Sequence, residues 1–128
     1  DRMTLEMVKK QETVRIDQHN WTGNVQYRYG WHLFASEYYW EAHEIWELVW
    51  LNAAVNSRER RLLQCLIQLA NARLKLLMER PRATIRLCEM VMAHLTRCPL
   101  HQAILGLTRS EVQQWADETQ IDASKEKM

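Results

Sequence analysis

The chain is poor in residues that break helices, with three glycines (Gly23, Gly30, Gly106) and two prolines (Pro81, Pro99) among 128 residues. So few breakers favour helices joined by short turns, and they leave no glycine-rich loop to cradle a phosphate. A charge excess of either sign is also missing. Seventeen basic residues face sixteen acidic ones, which removes the electrostatic footprint of a protein that binds nucleic acid or an anionic membrane. No apolar run is long enough to span a bilayer, because the most apolar stretch, Leu62 to Leu77, is interrupted by Gln64, Gln68, Asn71, Arg73 and Lys75. The opening Asp1-Arg2-Met3-Thr4 does not have the layout of a secretion signal. Cysteine is limited to Cys65, Cys88 and Cys98, with no Cys-x-x-Cys. These three cannot all pair, and they read as small buried hydrophobes in a reducing compartment, so the cytoplasm is the expected location. No serine sits in a nucleophile-elbow setting.

What remains is a chain dominated by Leu, Glu, Arg, Gln and Ala, long enough for one domain and one core. The periodicity predicts a short helix around Thr4 to Gln11, another at Trp31-His32-Leu33-Phe34-Ala35 ending near Ser36, and a third from Glu37 or Tyr38 to Leu51. Asn56 and Glu59 have capping-box spacing and predict a long helix to about Glu79, with Leu62, Leu63, Leu66, Ile67, Leu69, Ala70, Leu74 and Leu77 as its apolar stripe. Arg73 falls inside that stripe and needs a carboxylate or a route to water, with Glu47 as the best partner. Pro81 opens the next helix, which carries Ala83, Leu87, Cys88, Val91, His94 and Leu95. After Pro99 a brief helical turn is expected over Leu100 to Leu105, ended by Gly106. Thr108 and Glu111 then cap a final helix with Val112 and Trp115, which is expected to fray from Asp117 onward. Arginines open two of these helices, Arg58, Arg60 and Arg61 in one and Arg80, Arg82 and Arg86 in the other. Positive charge there opposes the helix dipole, so these side chains are expected to reach carboxylates on neighbouring elements rather than form a phosphate site.

The densest chemistry lies in Trp40-Glu41-Ala42-His43-Glu44-Ile45-Trp46-Glu47-Leu48-Val49-Trp50, which places an imidazole, carboxylates and three indoles within about three helical turns. The pattern His43-x-x-x-Glu47-x-x-Trp50, entered through Tyr39-Trp40-Glu41-Ala42, resembles the signature of the domain of unknown function 309 family of small all-helical bacterial and archaeal proteins. Leu63-Gln64-Cys65-Leu66-Ile67-Gln68-Leu69-Ala70 resembles that family's second recurrent segment, and the likeness runs from about Tyr29 to Leu95. It implies an all-helical fold, a short helix ahead of the signature, and Gln64 and Gln68 as signature-block residues, but no particular reaction.

At about 100° per residue the signature helix is expected to bury a wide arc of about 220°, with His43 and Glu47 near its edge, turned toward a seam or cleft, while Glu41 and Glu44 face water. Three readings of this pair follow. As a structural seam, Glu47 accepts from one imidazole nitrogen, a neighbouring helix takes the other, and Trp50 packs beside them. As a ligand site, the pair lines a pocket walled by Trp40, Trp46 and Trp50. As a catalytic site, His43 is a general base with Glu47 behind it and Arg73 or Gln68 steadying charge. A divalent metal needs more donors than His43 and Glu47 supply, unless His32 or His94 comes close, and the string is not the zincin His-Glu-x-x-His. His19 and His101 are expected in solvated loops.

The sequence therefore predicts an all-α protein, a compact antiparallel bundle of about four main helices plus one or two short ones, in a single domain over residues 1–128. Its compact core is placed at about 27–116, with looser ends at 1–20 and 117–128. The favoured function is a non-enzymatic binding or interaction protein with the cluster Trp40, His43, Glu47, Trp50, Gln64, Gln68 and Arg73 at a groove or seam. The alternative is a small hydrolase-like enzyme using His43 and Glu47 in acid–base or metal-assisted chemistry. No cofactor is expected, a divalent metal being the open alternative. No nucleic acid or membrane partner is expected either. Six tryptophans exceed what a minimal core needs, which points to a homodimer face or a cleft for a small molecule or protein.

Overall fold

The structure is a computed structural model that describes the backbone of residues 2–127 and the side chains of residues 4–126. Among the described residues it is all-α, with six helices and no strand. They are α1 (Arg2–Lys9), α2 (Val25–Ala35), α3 (Tyr39–Asn52), α4 (Arg58–Leu77), α5 (Pro81–Leu95) and α6 (Arg109–Lys127), with a 3-10 turn at Trp21–Gly23. From α2 onward each helix packs on its chain neighbour, and α4 also meets α6. Short turns reverse the chain: Arg60 at the start of α4 lies over Trp50 at the end of α3, and Cys65 early in α4 reaches the Val91 carbonyl late in α5. None of the helices is long and apolar enough to cross a membrane.

Scarce glycine shapes the turns. The helix α2 ends at Ser36 with Glu37 in the left-handed region at φ 65°, and α4 ends at Met78 with Glu79 at φ 57°. Each end closes as a Schellman motif, in which Tyr38 N–H donates to the Leu33 carbonyl (2.9 Å) and Arg80 N–H to the Lys75 carbonyl (3.0 Å). Glutamate in this conformation costs about 1 kcal/mol relative to glycine, a cost offset by the carbonyls it satisfies.

Side-chain caps mark the starts of α2, α4 and α6, with one shift from expectation at α4, while α3 and α5 begin without one. Thr108 and Glu111 form the expected reciprocal box, Glu111 Oε1 accepting from Thr108 N–H at 3.3 Å and Thr108 Oγ1 from Glu111 N–H at 3.3 Å. At α4 the cap is Ser57 rather than Asn56, its Oγ accepting from Arg60 N–H at 3.1 Å. Asn56 instead sits in the preceding turn at φ 65°.

Three further expectations are corrected. The segment Leu100 to Leu105 is not helical: Ile104 and Leu107 pair across a tight reversal with Leu105 at φ 52° and Gly106 at φ 81°. The side of Gly106 where a side chain would stand is filled by the Trp21 indole, so only glycine fits. Nor do the ends behave as loose segments, though Asp1 and Met128 lie outside the described residues. Leu5, Val8 and Ile16 are buried in the core, and the Gln26 side-chain amide donates to the Val8 carbonyl at 3.1 Å and the Gln11 carbonyl at 3.3 Å. Helix α6 continues past Asp117, with Thr119 and Ala123 fully buried.

The core is one cluster running through all six helices, with α4 contributing the largest share. Its aromatic end is organised by Trp46, which is 0 % exposed. The Trp46 ring lies 4.9 Å from Trp31 and 5.8 Å from Phe34, and its Nε1–H donates to the Tyr27 carbonyl at 3.2 Å. Tyr27 in turn donates its hydroxyl to the Leu105 carbonyl at 2.8 Å, and burial pushes its phenol well above the ordinary range. Gly30 of α2 makes this possible, because a Cβ there would overlap Nε1 and Cδ1 of Trp46.

Gly30→Ala is therefore expected to lower stability by about 2 kcal/mol or more in urea denaturation, overpacking outweighing the ~1 kcal/mol that alanine contributes to an open helix. A raised unfolding midpoint would contradict the close contact between α2 and α3.

Candidate functional site

Exposure around α3 is graded with angle. Taking Trp46 as the origin, Trp50 lies about 40° round the helix, His43 about 60°, Glu47 about 100° and Trp40 about 120°. Trp46 is sealed, Trp50 is half-buried, the His43 and Glu47 side chains are 17 % and 49 % exposed, and Trp40 is 52 % exposed. The fully buried arc holds Ile45, Val49, Ala42 and Trp46 and covers only about 100°. It is much narrower than the arc expected from the apolar residues, because the aromatics on its far edge cover the rim instead of entering the core.

His43 and Glu47 do pair across one turn, with Nε2 to Oε2 at 3.0 Å. The contact engages Nε2 with a carboxylate of its own helix. Nδ1 is buried without a hydrogen-bond partner among the described residues. The neighbouring-helix partner expected for it is therefore not present among them, and the Trp40 ring stacks obliquely on the imidazole at 5.1 Å. Glu47 itself faces solvent rather than the seam. Conversely, Glu44, expected in water, accepts from Lys9 Nζ at 2.8 Å and ties α1 to α3.

The three indoles do not wall one pocket. Trp46 is core, Trp40 is surface, and Trp50 carries the Arg60 guanidinium over its ring at 4.2 Å. Arg73 does not reach Glu47. Its Nε is buried without a hydrogen-bond partner among the described residues, and its charge acts on Tyr39, where it opposes the upward push of burial, and on Cys88, which burial raises to about 11. Gln68 is half-buried and makes no hydrogen bond among the described residues.

Gln64 has a different setting. It lines a cleft of about 200 Å³ with Trp50, Arg60, Arg61, His94 and Arg97, where the end of α3, the first turns of α4 and the end of α5 meet. Arg60 is held by the Ala53 carbonyl at 3.0 Å and Arg61 by the Arg97 carbonyl at 3.0 Å. Burial and then the Arg97 charge lower the His94 imidazole below its ordinary range. The sequence reading picked out Arg60, Arg61 and His94 separately and missed Arg97. Only the reversal between α3 and α4, read with the end of α5, puts them together.

The carboxylate partners expected for the arginines are absent: the ion pairs among the described residues are Lys9–Glu6, Lys9–Glu44 and His43–Glu47. No three His, Cys, Asp or Glu side chains among them converge to hold a metal ion, so neither His32 nor His94 completes a set with His43 and Glu47. Cys65, Cys88 and Cys98 are buried free thiols. The hydrogen bond from Cys65, with Arg61 and Arg109 nearby, pulls Cys98 down to about 7 against its burial, while the same contact pushes Cys65 up.

Residues 27–87, which hold most of α2, all of α3 and α4 and the start of α5, match the family described as Domain of unknown function (DUF309). The match contains both blocks that carried the resemblance, and it ends short of His94 and Arg97. No curated protein and no solved structure matches the chain.

Because half of the Glu47 side chain is in water, Glu47→Ala is expected to cost less than about 1 kcal/mol in thermal or urea unfolding. A loss of several kcal/mol would show a buried network that this geometry does not contain.

Proposed function

We propose that the protein is a non-enzymatic binding or interaction protein, in which the His43–Glu47 pair is a structural clasp on α3 and the cleft beside Trp50 is the binding surface. The observation that carries this reading is the closure of the imidazole. Nε2 is engaged by a carboxylate of its own helix, and Nδ1 is buried under Trp40 and the bundle. A general base must bring a free nitrogen within hydrogen-bond reach of the proton it takes, and neither nitrogen is so placed here. The hydrolase alternative draws no support from the neighbours either, since Arg73 and Gln68 do not converge with His43 and Glu47 on a common point. Free buried thiols suit a reducing compartment, so we read the protein as cytoplasmic and as a single helical domain. The solvent face of α3, where Trp40 and Leu51 are more than half exposed, is where a homodimer contact would fall.

His43→Ala tests the clasp. It is expected to lower stability by about 1–3 kcal/mol through lost packing against Trp40 and α3, and His43→Gln is expected to recover part of that. A variant of unchanged stability that loses a co-purifying ligand, a bound metal or a hydrolytic activity would overturn the structural role.

A further inference from the structure

The arginines of the α3–α4–α5 cleft are fixed in place without being neutralised. Arg60 and Arg61 are each positioned by a backbone carbonyl, and neither they nor Arg97 forms an ion pair with a carboxylate among the described residues. No Asp or Glu lines the cleft. The acidic residue in the first turn of α4, Glu59, lines a separate hollow with Asp17 and Arg58. In a protein whose net charge is only +1, this is a local concentration of positive charge, and a concave site with one sign of charge focuses its field on an incoming anion.

An ordinary structural reading accounts for part of the cluster. His94 and Arg97 sit at the carboxyl end of α5, where a cation is favoured by the helix dipole. It does not account for Arg60 and Arg61, which stand at the amino end of α4 where that dipole opposes them. A partner negative charge would balance the group, and none of the described residues supplies one there.

The hydrogen-bonding groups facing the cleft match an oxyanion. The guanidinium groups of the lining arginines carry several donors in planar forks, and Arg60 and Arg61 each give one of them to a backbone carbonyl. The Gln64 amide and the Trp50 indole N–H add neutral donors that no other described group uses. Size narrows the ligand: about 200 Å³ is below the roughly 300–1,000 Å³ usual for whole organic ligands, so the cleft suits one tetrahedral group. Trp50 belongs to the first family-like block and Gln64 to the second, so both blocks contribute to this cleft.

We propose that this cleft binds a phosphoryl anion, either inorganic phosphate or the terminal phosphoryl group of a small phosphate ester, with Arg61 and Arg97 as the charged donors, Gln64 and Trp50 as neutral ones and Arg60 holding the Trp50 ring. The proposal rests on the reading of the cleft as the binding surface, and is independent of the role of His43.

The test is a two-dimensional ¹H–¹⁵N titration of the intact chain with inorganic phosphate and, separately, glycerol 3-phosphate, at ionic strength matched with sodium chloride. The Trp50 indole signal, assigned with Trp50→Phe, and the Gln64 side-chain amide should shift and saturate. Arg97→Gln, at an exposed position that leaves the fold intact, should weaken binding by about tenfold or more, and Arg60→Gln should do so as well, while Arg82→Gln at the far end of α5 should not. Tighter binding of the ester assigns the site to a phosphoryl terminus, and tighter binding of phosphate assigns it to the free anion. Shifts reproduced by chloride alone, no saturable shift, or Arg97→Gln without effect would overturn the proposal. So would a single-stranded oligonucleotide that binds more tightly and moves signals well beyond the cleft. If another small molecule saturates the Trp50 signal where phosphate does not, the ligand class fails while the binding surface stands. If nothing moves it, both fail.

Discussion

The architecture depends on the contact between Gly30 and Trp46. Because α2 has no side chain at Gly30, the indole of α3 lies against its backbone and donates to the Tyr27 carbonyl, so one large ring is both packed and hydrogen-bonded without a cavity. That contact fixes the rotation of α3 about its own axis. Every other signature residue then takes its environment from its angle to Trp46: Trp50 and His43 at the rim, Glu47 and Trp40 outside. The residues that look like a reaction centre in sequence are thereby spread over a helix edge.

A second consequence concerns charge. With α3 oriented by Trp46 and returned by the Ser57-capped turn, Trp50 faces the first turns of α4 and captures the Arg60 side chain. The end of α5 arrives at the same place because α4 and α5 are joined by a tight reversal at Glu79. Three helix termini thus gather arginines from distant parts of the chain around a shallow cleft, in a protein whose overall charge gives no hint of it. The polar positions of this bundle are best understood as the rim of that cleft and as ties between helices, such as Lys9 to Glu44.

Much of the fold was legible in the sequence. Helical periodicity, Pro81 at a helix start and the Thr108–Glu111 box predicted α3, α4, α5 and the start of α6 close to those found, because local capping and amphipathic burial decide those boundaries, whereas α2, expected from Trp31, begins at Val25 under an Asn24 cap. Where local signals were absent or competed, reading failed. Asn56 and Ser57 are both good caps, and which one serves is settled by the left-handed turn between the helices. The weakly apolar N-terminal segment is ordered by tertiary bonds from Gln26, and the polar α6 by Thr119 and Ala123 packing, neither of which periodicity shows. Of the site, the His43–Glu47 pair followed from its spacing, whereas the burial of Trp46, the isolation of Arg73 and the meeting of Trp50 with Gln64 and the α5 arginines depend on helix rotation. That rotation is set by a single glycine on another helix.

In the proposed function the signature imidazole is a structural group with both nitrogens withdrawn from any ligand. The ¹⁵N chemical shifts of the His43 ring measure this most directly. Both ring nitrogens are expected to keep their shifts on adding zinc or saturating phosphate, with Nε2 held by Glu47 and Nδ1 buried. Nitrogen signals that move when either is added would contradict that role.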